Sequence, residues 1–354
     1  MPPVLFIFSL QPPSQWLTLA PMGFIFTIAL AVVVAPEGQI AFLAATEQED
    51  QQVCVLTLPG GAITPIGAGQ RDGEPVWSPD GAWIAYITQA PESGTGLRLV
   101  RPDGTDERIL KHAEEWVHGP PVWSPDGTKL AYTAGGGLDQ RVMVYDLESD
   151  TEERWGTDTQ SLLRPAWNGD AQIVAVGTVG DPGALSTDLF WVTKSSANPA
   201  IELQASTGIY AEWLPRPLPG EGAVAYESND GGDREIFVFA MKRGATDVSN
   251  HRAADWNPVW SPSGEWIAFE SFRGGRRGVY RVNPVQVRVS PIAAAEDHDN
   301  WAPAWSPDGQ WVAYVSNRDG RPRLYATNAE EDDTLPLTQH ELNDYAPAWR
   351  PETK

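Results

Sequence analysis

Cysteine, positive charge and helical periodicity are all scarce in this chain of 354 residues. Cys54 is the one cysteine, which excludes an intrachain disulfide framework and a metal cage built of cysteines. It lies in QQVCVLTL, a stretch of strand character in which a small thiol packs as a core residue. Lysine and arginine number 25 against 47 aspartates and glutamates, a formal net charge of -22. Such a chain has little to offer phosphates, which argues against nucleic-acid binding and favours solubility and cationic partners. The signatures of common catalytic machinery are missing: no GxSxG elbow, no P-loop, no HExxH and no paired CxxC. No segment shows convincing amphipathic helical spacing.

What the chain has instead is tryptophan, glycine and proline (16, 33 and 31 residues). Seven tryptophans keep a pitch. Trp77, Trp123, Trp167, Trp213, Trp260, Trp305 and Trp349 step by 46, 44, 46, 47, 45 and 44 residues. A second mark follows eight residues later, at Ala85, Ala131, Ala175, Ala268 and Ala313. In the fifth unit Ala225 comes twelve residues on, read as displacement by an insert at 214–222. A repeat in the mid-forties with four short strand-like segments per unit predicts a β-propeller. Each unit begins with strand A, ending P-x-W. The turn SPDG (78–81, 124–127, 306–309; SPSG at 261–264) puts proline where a type I turn wants φ near -65° and glycine where positive φ is needed. Strand B is apolar (WIAYIT, KLAYTA, WIAFES, WVAYVS), and a Gly-rich hairpin, strand C and a short strand D complete the unit.

The two ends complement each other. GQIAFLAAT (38–46) is a strand B without a strand A, and DYAPAWRPE (344–352) is a strand A without a strand B. The expected fold is all-β: a seven-bladed propeller of four-stranded antiparallel blades, its ring closed by N-terminal strands B, C and D pairing with C-terminal strand A. Such closure removes the edges at which the ring could open. The domain is expected over 37–354. Residues 1–36 stand outside the repeat. Trp16 to Ala35 carry no charge, long enough for a bilayer span, and Ala29 and Ala31 offer a small-residue cleavage pattern. Export or membrane attachment through residues 16–35, and hence a periplasmic, secreted or membrane-anchored location, is the expectation; a cytoplasmic location is the alternative.

The units PVWSPDGAWIAYIT, PVWSPDGTKLAYTA, PVWSPSGEWIAFES and PAWSPDGQWVAYVS resemble the WD-repeat-like propeller repeat of the TolB family. SNHRAADWNPVWSPSG (249–264) and LTQHELNDYAPAW (337–349) carry the match into the linkers. The resemblance spans about residues 38–354 and implies fold more than function. Proteins of this type include periplasmic binding scaffolds, propeller domains joined to peptidases, and polysaccharide lyases. TolB itself is expected to differ, with six blades and a further N-terminal domain.

Because strands alternate in direction, D–A linkers and B–C hairpins share one face of the disc. Three residues before the proline of each P-x-W stand Asp72, His118, Leu162, Gly208, Asp255, Asn300 and Asp344, with Glu74 and Asn257 beside the proline. Asp72, His118, Asp255, Asn257, Asn300 and Asp344 are therefore candidates for a collar at the channel mouth that binds a cation or basic peptide. Capping of their own linker backbone is the structural alternative. His112, His118, His251, His298 and His340 all read as D–A linker residues. His251, His298 and His340 could hold a divalent metal, the one cofactor the sequence suggests. Arg273, Arg276, Arg277, Arg318 and Arg321 fall in or beside the last two B–C hairpins and could grip a carboxylate or uronate. Two functions follow: a non-enzymatic scaffold for a protein, peptide or polysaccharide segment, or a metal-assisted lyase or hydrolase of an acidic polysaccharide.

Overall fold

The computed structural model describes residues 35–46, 50–67, 71–90, 94–113, 117–137, 139–157, 160–180, 186–194, 200–203, 212–218, 222–230, 232–331 and 333–352. Of these, 90, 94, 111–113 and 212–218 are described by backbone alone. The apolar segment 16–35, but for its last residue, lies outside them. No helix among the described residues is long and apolar enough to cross a membrane.

The described residues form seven four-stranded antiparallel sheets. Blade 1 is the spliced one, in which Asn343–Trp349 pairs with Gly38–Ala45, Ala44 facing Asp344 and Ile40 facing Trp349. Gln51–Leu58 and Ala62–Pro65 complete that sheet. Blades 2 to 7 follow in chain order, from Val76 to Ala113, Val117 to Trp155, Leu162 to Glu202, Glu212 to Asp247, Asp255 to Ala293 and Asn300 to Pro336. Strands A contact one another around the whole ring and so line its axis. The seven-bladed, Velcro-closed architecture is as the repeat predicts.

The reason for tryptophan lies between blades. Trp77 Nε1 donates to Ala348 O (2.9 Å), Trp123 to Val76 O (3.3 Å), Trp167 to Val122 O (3.0 Å), Trp305 to Val259 O (3.2 Å) and Trp349 to Ala304 O (3.1 Å). Each indole thus caps a carbonyl one residue before the tryptophan position of the preceding blade. A large apolar ring with one N–H fits a wedge that must be dry and still satisfy a backbone acceptor. Trp349 closes the circle across the splice, where Phe42, Leu56, Trp311 and Leu324 share its core.

Strand register corrects the sequence frame in three blades. In blade 5, Pro217 pairs with Val224 as Trp260 pairs with Ile267 and Trp305 with Val312. The repeat position there is proline, and Pro215-Arg216-Pro217 replaces P-x-W with no insert. Trp213 pairs with Glu227 as Trp256 pairs with Glu270, so it belongs to a different position, and its fit to the pitch is coincidental. In blade 4, Ala166 faces Val174, not Ala175: the A–B turn is one residue shorter. In blade 3, Val117 faces Ala134 and His118 faces Thr133. Asp255 faces Ser271, three beyond the frame alanine Ala268, so its counterpart is Val117 and not His118. An extra residue in Gly119-Pro120-Pro121 misleads a count back from the proline. Gly119 carries it at φ 70°, where a Cβ would be strained. His112 pairs with Gly96 in strand D of blade 2, not in a linker.

Candidate functional site

In the six blades other than blade 2, the pairing of strand A with strand B is interrupted by a bulge at or just before the proline. Arg164, Asn257, Ala302 and Ala346 sit there at φ 54°, 55°, 53° and 48°, a left-handed conformation that is costly for any residue with a Cβ. Side chains of the preceding blade hold three of them. Arg164 N donates to Thr133 Oγ1 (2.9 Å), Asn257 N to Glu227 Oε1 (2.6 Å) and Ala302 N to Glu270 Oε1 (3.0 Å). Successive residues of the strand face opposite ways. The residue two before the bulge goes inward, and in blades 7 and 1 the one between, Trp301 and Tyr345, lines the mouth.

That alternation decides the fate of the collar residues. Asp72, Asp255, Asn300 and Asp344 are 0–1% exposed, inside the wall and not on it. Asp72 Oδ2 accepts Val53 N (3.2 Å) and so ties blade 2 to blade 1. Asp255 pairs with Arg273 at 2.5 Å, and Asn300 Oδ1 lies 3.4 Å from Arg318 Nη2. Asp344 Oδ2 accepts Thr338 Oγ1 at 2.5 Å, and its Oδ1 lies 3.1 Å from His340 Nε2, out of line for a hydrogen bond. Burial pushes Asp344 up to about 7 and His340 downward, so desolvation outweighs their proximity. His118 is exposed and donates through Nε2 to Gly135 O at 2.7 Å. Asn257 alone of the six collar candidates lines the mouth.

The linker motifs SNH and TQH are structural devices. Ser249 Oγ accepts Ile236 N (2.8 Å) and donates to Glu235 Oε2 (2.5 Å); Thr338 Oγ1 accepts Leu324 N (3.0 Å) in the same way. His251 Nδ1 accepts Ala253 N (3.0 Å) and His340 Nδ1 accepts Leu342 N (3.1 Å). Glu235 is lifted to about 8 by burial, with Asp255 adding to it. His298 Nδ1 is engaged by Asp297 at 2.6 Å. The three histidines keep separate partners. Among the described residues no three His, Cys, Asp or Glu side chains gather as metal ligands would.

The arginine rim is equally occupied. Arg277 Nε meets Glu270 Oε2 at 2.5 Å, Arg276 lies 3.6 Å from Asp299, and Arg321 lies 3.5 Å from Glu341. Arg273 holds Asp255, and Arg318 holds Asn300 and the Tyr314 hydroxyl (3.0 Å) over the Tyr325 ring (4.2 Å).

At the axis, on the face of the D–A linkers and B–C hairpins, a cavity of about 550 Å³ opens. Blades 1, 2, 3, 6 and 7 build it. Its wall includes the half-buried rings of Trp301 and Tyr345, the polar side chains of Gln51, Gln89 and Asn257, and four charged residues: Arg71, Glu74, Glu270 and Arg277. Glu270 is 1% exposed and also accepts Asn257 Nδ2 at 2.9 Å. The Arg277 guanidinium lies 5.5 Å from the Trp256 ring and 5.3 Å from the Trp301 ring. Trp256, Trp301 and Tyr345 occupy one register position on three successive blades. The only sign of this in the sequence is the aromatic after each Asp or Asn (DW, NW, DY), which a search for titratable groups passes over.

The chain matches no family model and no curated protein. Solved structures do match. TolB from Acinetobacter baumannii superposes with a TM-score of 0.60 at 17% identity, over 89% of this chain and 67% of that one. The fold is a β-propeller similar to that of TolB. The propeller domain of the Trilobed protease from Pyrococcus furiosus gives 0.66 at 13% identity, over 86% and 96% of the two chains. That domain has an open Velcro topology, whereas here the splice is paired. An oligogalacturonate lyase in complex with manganese gives 0.66 at 17% identity, over 82% and 86%. At these identities the chain shares its fold with proteins of different activities, and its function has to be read from its own mouth.

Proposed function

We propose that this chain is a non-catalytic binding scaffold working outside the cytoplasm, with its ligand entering the axial cavity on the D–A face. The observation that carries the reading is the cavity itself, a concave site built by five blades from aromatic rings and hydrogen-bonding side chains. The buried charges beside it are already committed, Glu270 to Arg277, Asn257 and Ala302 and Asp255 to Arg273, and the exposed pair Arg71 and Glu74 brings one charge of each sign. The second reading, a metal-assisted lyase or hydrolase of an acidic polysaccharide, has less support. It needs His251, His298 and His340 on one ion and unpaired arginines for the uronate.

Gln89 is exposed at the cavity wall, so Gln89→Trp fills the mouth without touching the core. Val285, 78% exposed in a C–D turn, gives a control in Val285→Trp. Both variants and the parent chain are screened on a glycan array and a phage-displayed peptide library. Ligands lost with Gln89→Trp and kept with Val285→Trp are expected; ligands indifferent to Gln89→Trp overturn the placement. For the location, mass spectrometry of the exported protein is expected to give a mature N-terminus near Val32 or an intact membrane-bound segment, and recovery of full-length chain from the cytosol alone overturns it.

A further inference from the structure

Two properties of the mouth narrow the ligand, given the binding reading above. The first is charge. The chain as a whole carries -22, yet the charged residues of the cavity wall are two of each sign, Arg71 and Arg277 against Glu74 and Glu270. Arg277 is held by Glu270, with its guanidinium within 5.5 Å of the Trp256 ring and 5.3 Å of the Trp301 ring. A fixed guanidinium with its charge already met gives no net pull to a uronate, and the remaining two, Arg71 and Glu74, are of opposite sign, so the wall as a whole favours neither an anionic nor a cationic ligand.

The second is the backbone. Extended peptides bind propeller or sheet edges by pairing with unpaired strand N–H and C=O groups. Here the inner edges are bulged, and the bulge N–H groups of Asn257 and Ala302 at the mouth are spent on Glu227 and Glu270 of the neighbouring blade. Recognition is left to side chains: flat aromatic faces and amides that donate and accept together. The C–H face of a sugar ring stacks on an aromatic ring, and its hydroxyls, also donor and acceptor at once, match Gln51, Gln89 and Asn257.

We infer that the mouth is a lectin-like site for a neutral glycan, with Trp301 and Tyr345 as stacking platforms and Gln51, Gln89 and Asn257 as hydroxyl partners. Arg277 and Glu270 are positioning residues that keep one guanidinium beside both the Trp256 and Trp301 rings.

The test is a calorimetric titration of the full chain with defined probes. These are neutral hexasaccharides (β-1,4-linked glucose, xylose, mannose and N-acetylglucosamine, and α-1,4-linked glucose), hexagalacturonate, and an oligo-lysine peptide. At least one neutral hexamer is expected to bind. Trp301→Ala is expected to weaken it about tenfold, the worth of one stacked aromatic, and Gln89→Trp to abolish it. Thermal melting checks that Trp301→Ala, which also packs on the core, is folded. Gln89→Ala, expected to weaken the same hexamer with an unchanged melt, stands in if it is not. Failure of every neutral hexamer overturns the inference. Mouth-dependent binding of hexagalacturonate or the peptide in their place overturns the neutral-glycan ligand and leaves the scaffold standing. Hexamer binding that survives Gln89→Trp removes the mouth from both readings.

Discussion

The splice of blade 1 contains a carboxylate whose burial sets a pH dependence. Asp344 is 0% exposed, with only Thr338 Oγ1 hydrogen-bonded to it through the side chain. In blade 6 the same register position has an aspartate matched by Arg273. In blade 7 it is Asn300, beside Arg318. Blade 1 has Thr46 at the place of those arginines, and the Thr46 hydroxyl is itself buried without a hydrogen bond. Burial therefore raises Asp344 from 3.8 to about 7. The folded chain then holds the proton more tightly than the unfolded one. This group's contribution to folding is fully present below 3.8 and is lost as pH rises through about 7. Three pH units set an upper limit of about 4 kcal/mol. Asp344→Asn copies the solution of blade 7. It keeps the acceptor for Thr338 and places an amide toward His340. The variant is expected to be more stable than the parent by about 2–4 kcal/mol at pH 8, with the difference closing toward pH 4. Urea midpoints at pH 4, 6 and 8 measure it. An Asn variant less stable at pH 8, or a difference that does not move with pH, would mean that the carboxylate is ionised and held by a charged His340, and the reasoning fails.

Three further outcomes follow from the same contacts. Asp255→Ala strands Arg273, 13% exposed at its side chain, and is expected to lower stability by about 3–5 kcal/mol in chemical denaturation; no measurable loss would mean the pair is solvated. Trp349→Ala removes both a buried ring and the Ala304 cap at the ring closure, with about 3–5 kcal/mol expected and protease sensitivity appearing first at the C-terminal strand; uniform digestion would contradict a seam-located loss. Cys54 is 2% exposed, and burial pushes its thiol up to about 12. Iodoacetamide at pH 8 is expected to leave it unmodified in the native chain and to label it fully in urea, and rapid native labelling would refute its place in the core.

The repeat was legible because each blade reuses one physical solution: an indole that is large, flat and able to cap one carbonyl. Positions that break the solution were not legible. Pro217 stands where tryptophan belongs, and Trp213 falls near the expected spacing while pairing with Glu227, three residues beyond the repeat partner Val224. Spacing counts residues, whereas hydrogen-bond register also absorbs a bulge, as at Gly119, or a shortened turn, as before Val174. The candidate site was harder still. Asp72, Asp255, Asn300 and Asp344 look like a ligand collar in a string of letters, because acidic linker residues serve binding and wall-building alike. Their place in the fold turns all four inward, while Trp301 and Tyr345, next to Asn300 and Asp344, reach the mouth.

The order of strands, the number of blades and the closure by joined chain ends are properties of the sequence itself. They rest on local pattern and on the need to leave no sheet edge open. Which side chains face the ligand was decided only in three dimensions. Facing depends on the left-handed bulges at Asn257, Ala302 and Ala346, two of them held by a carboxylate from the neighbouring blade. A partner some thirty residues away cannot be read from the residues it orients.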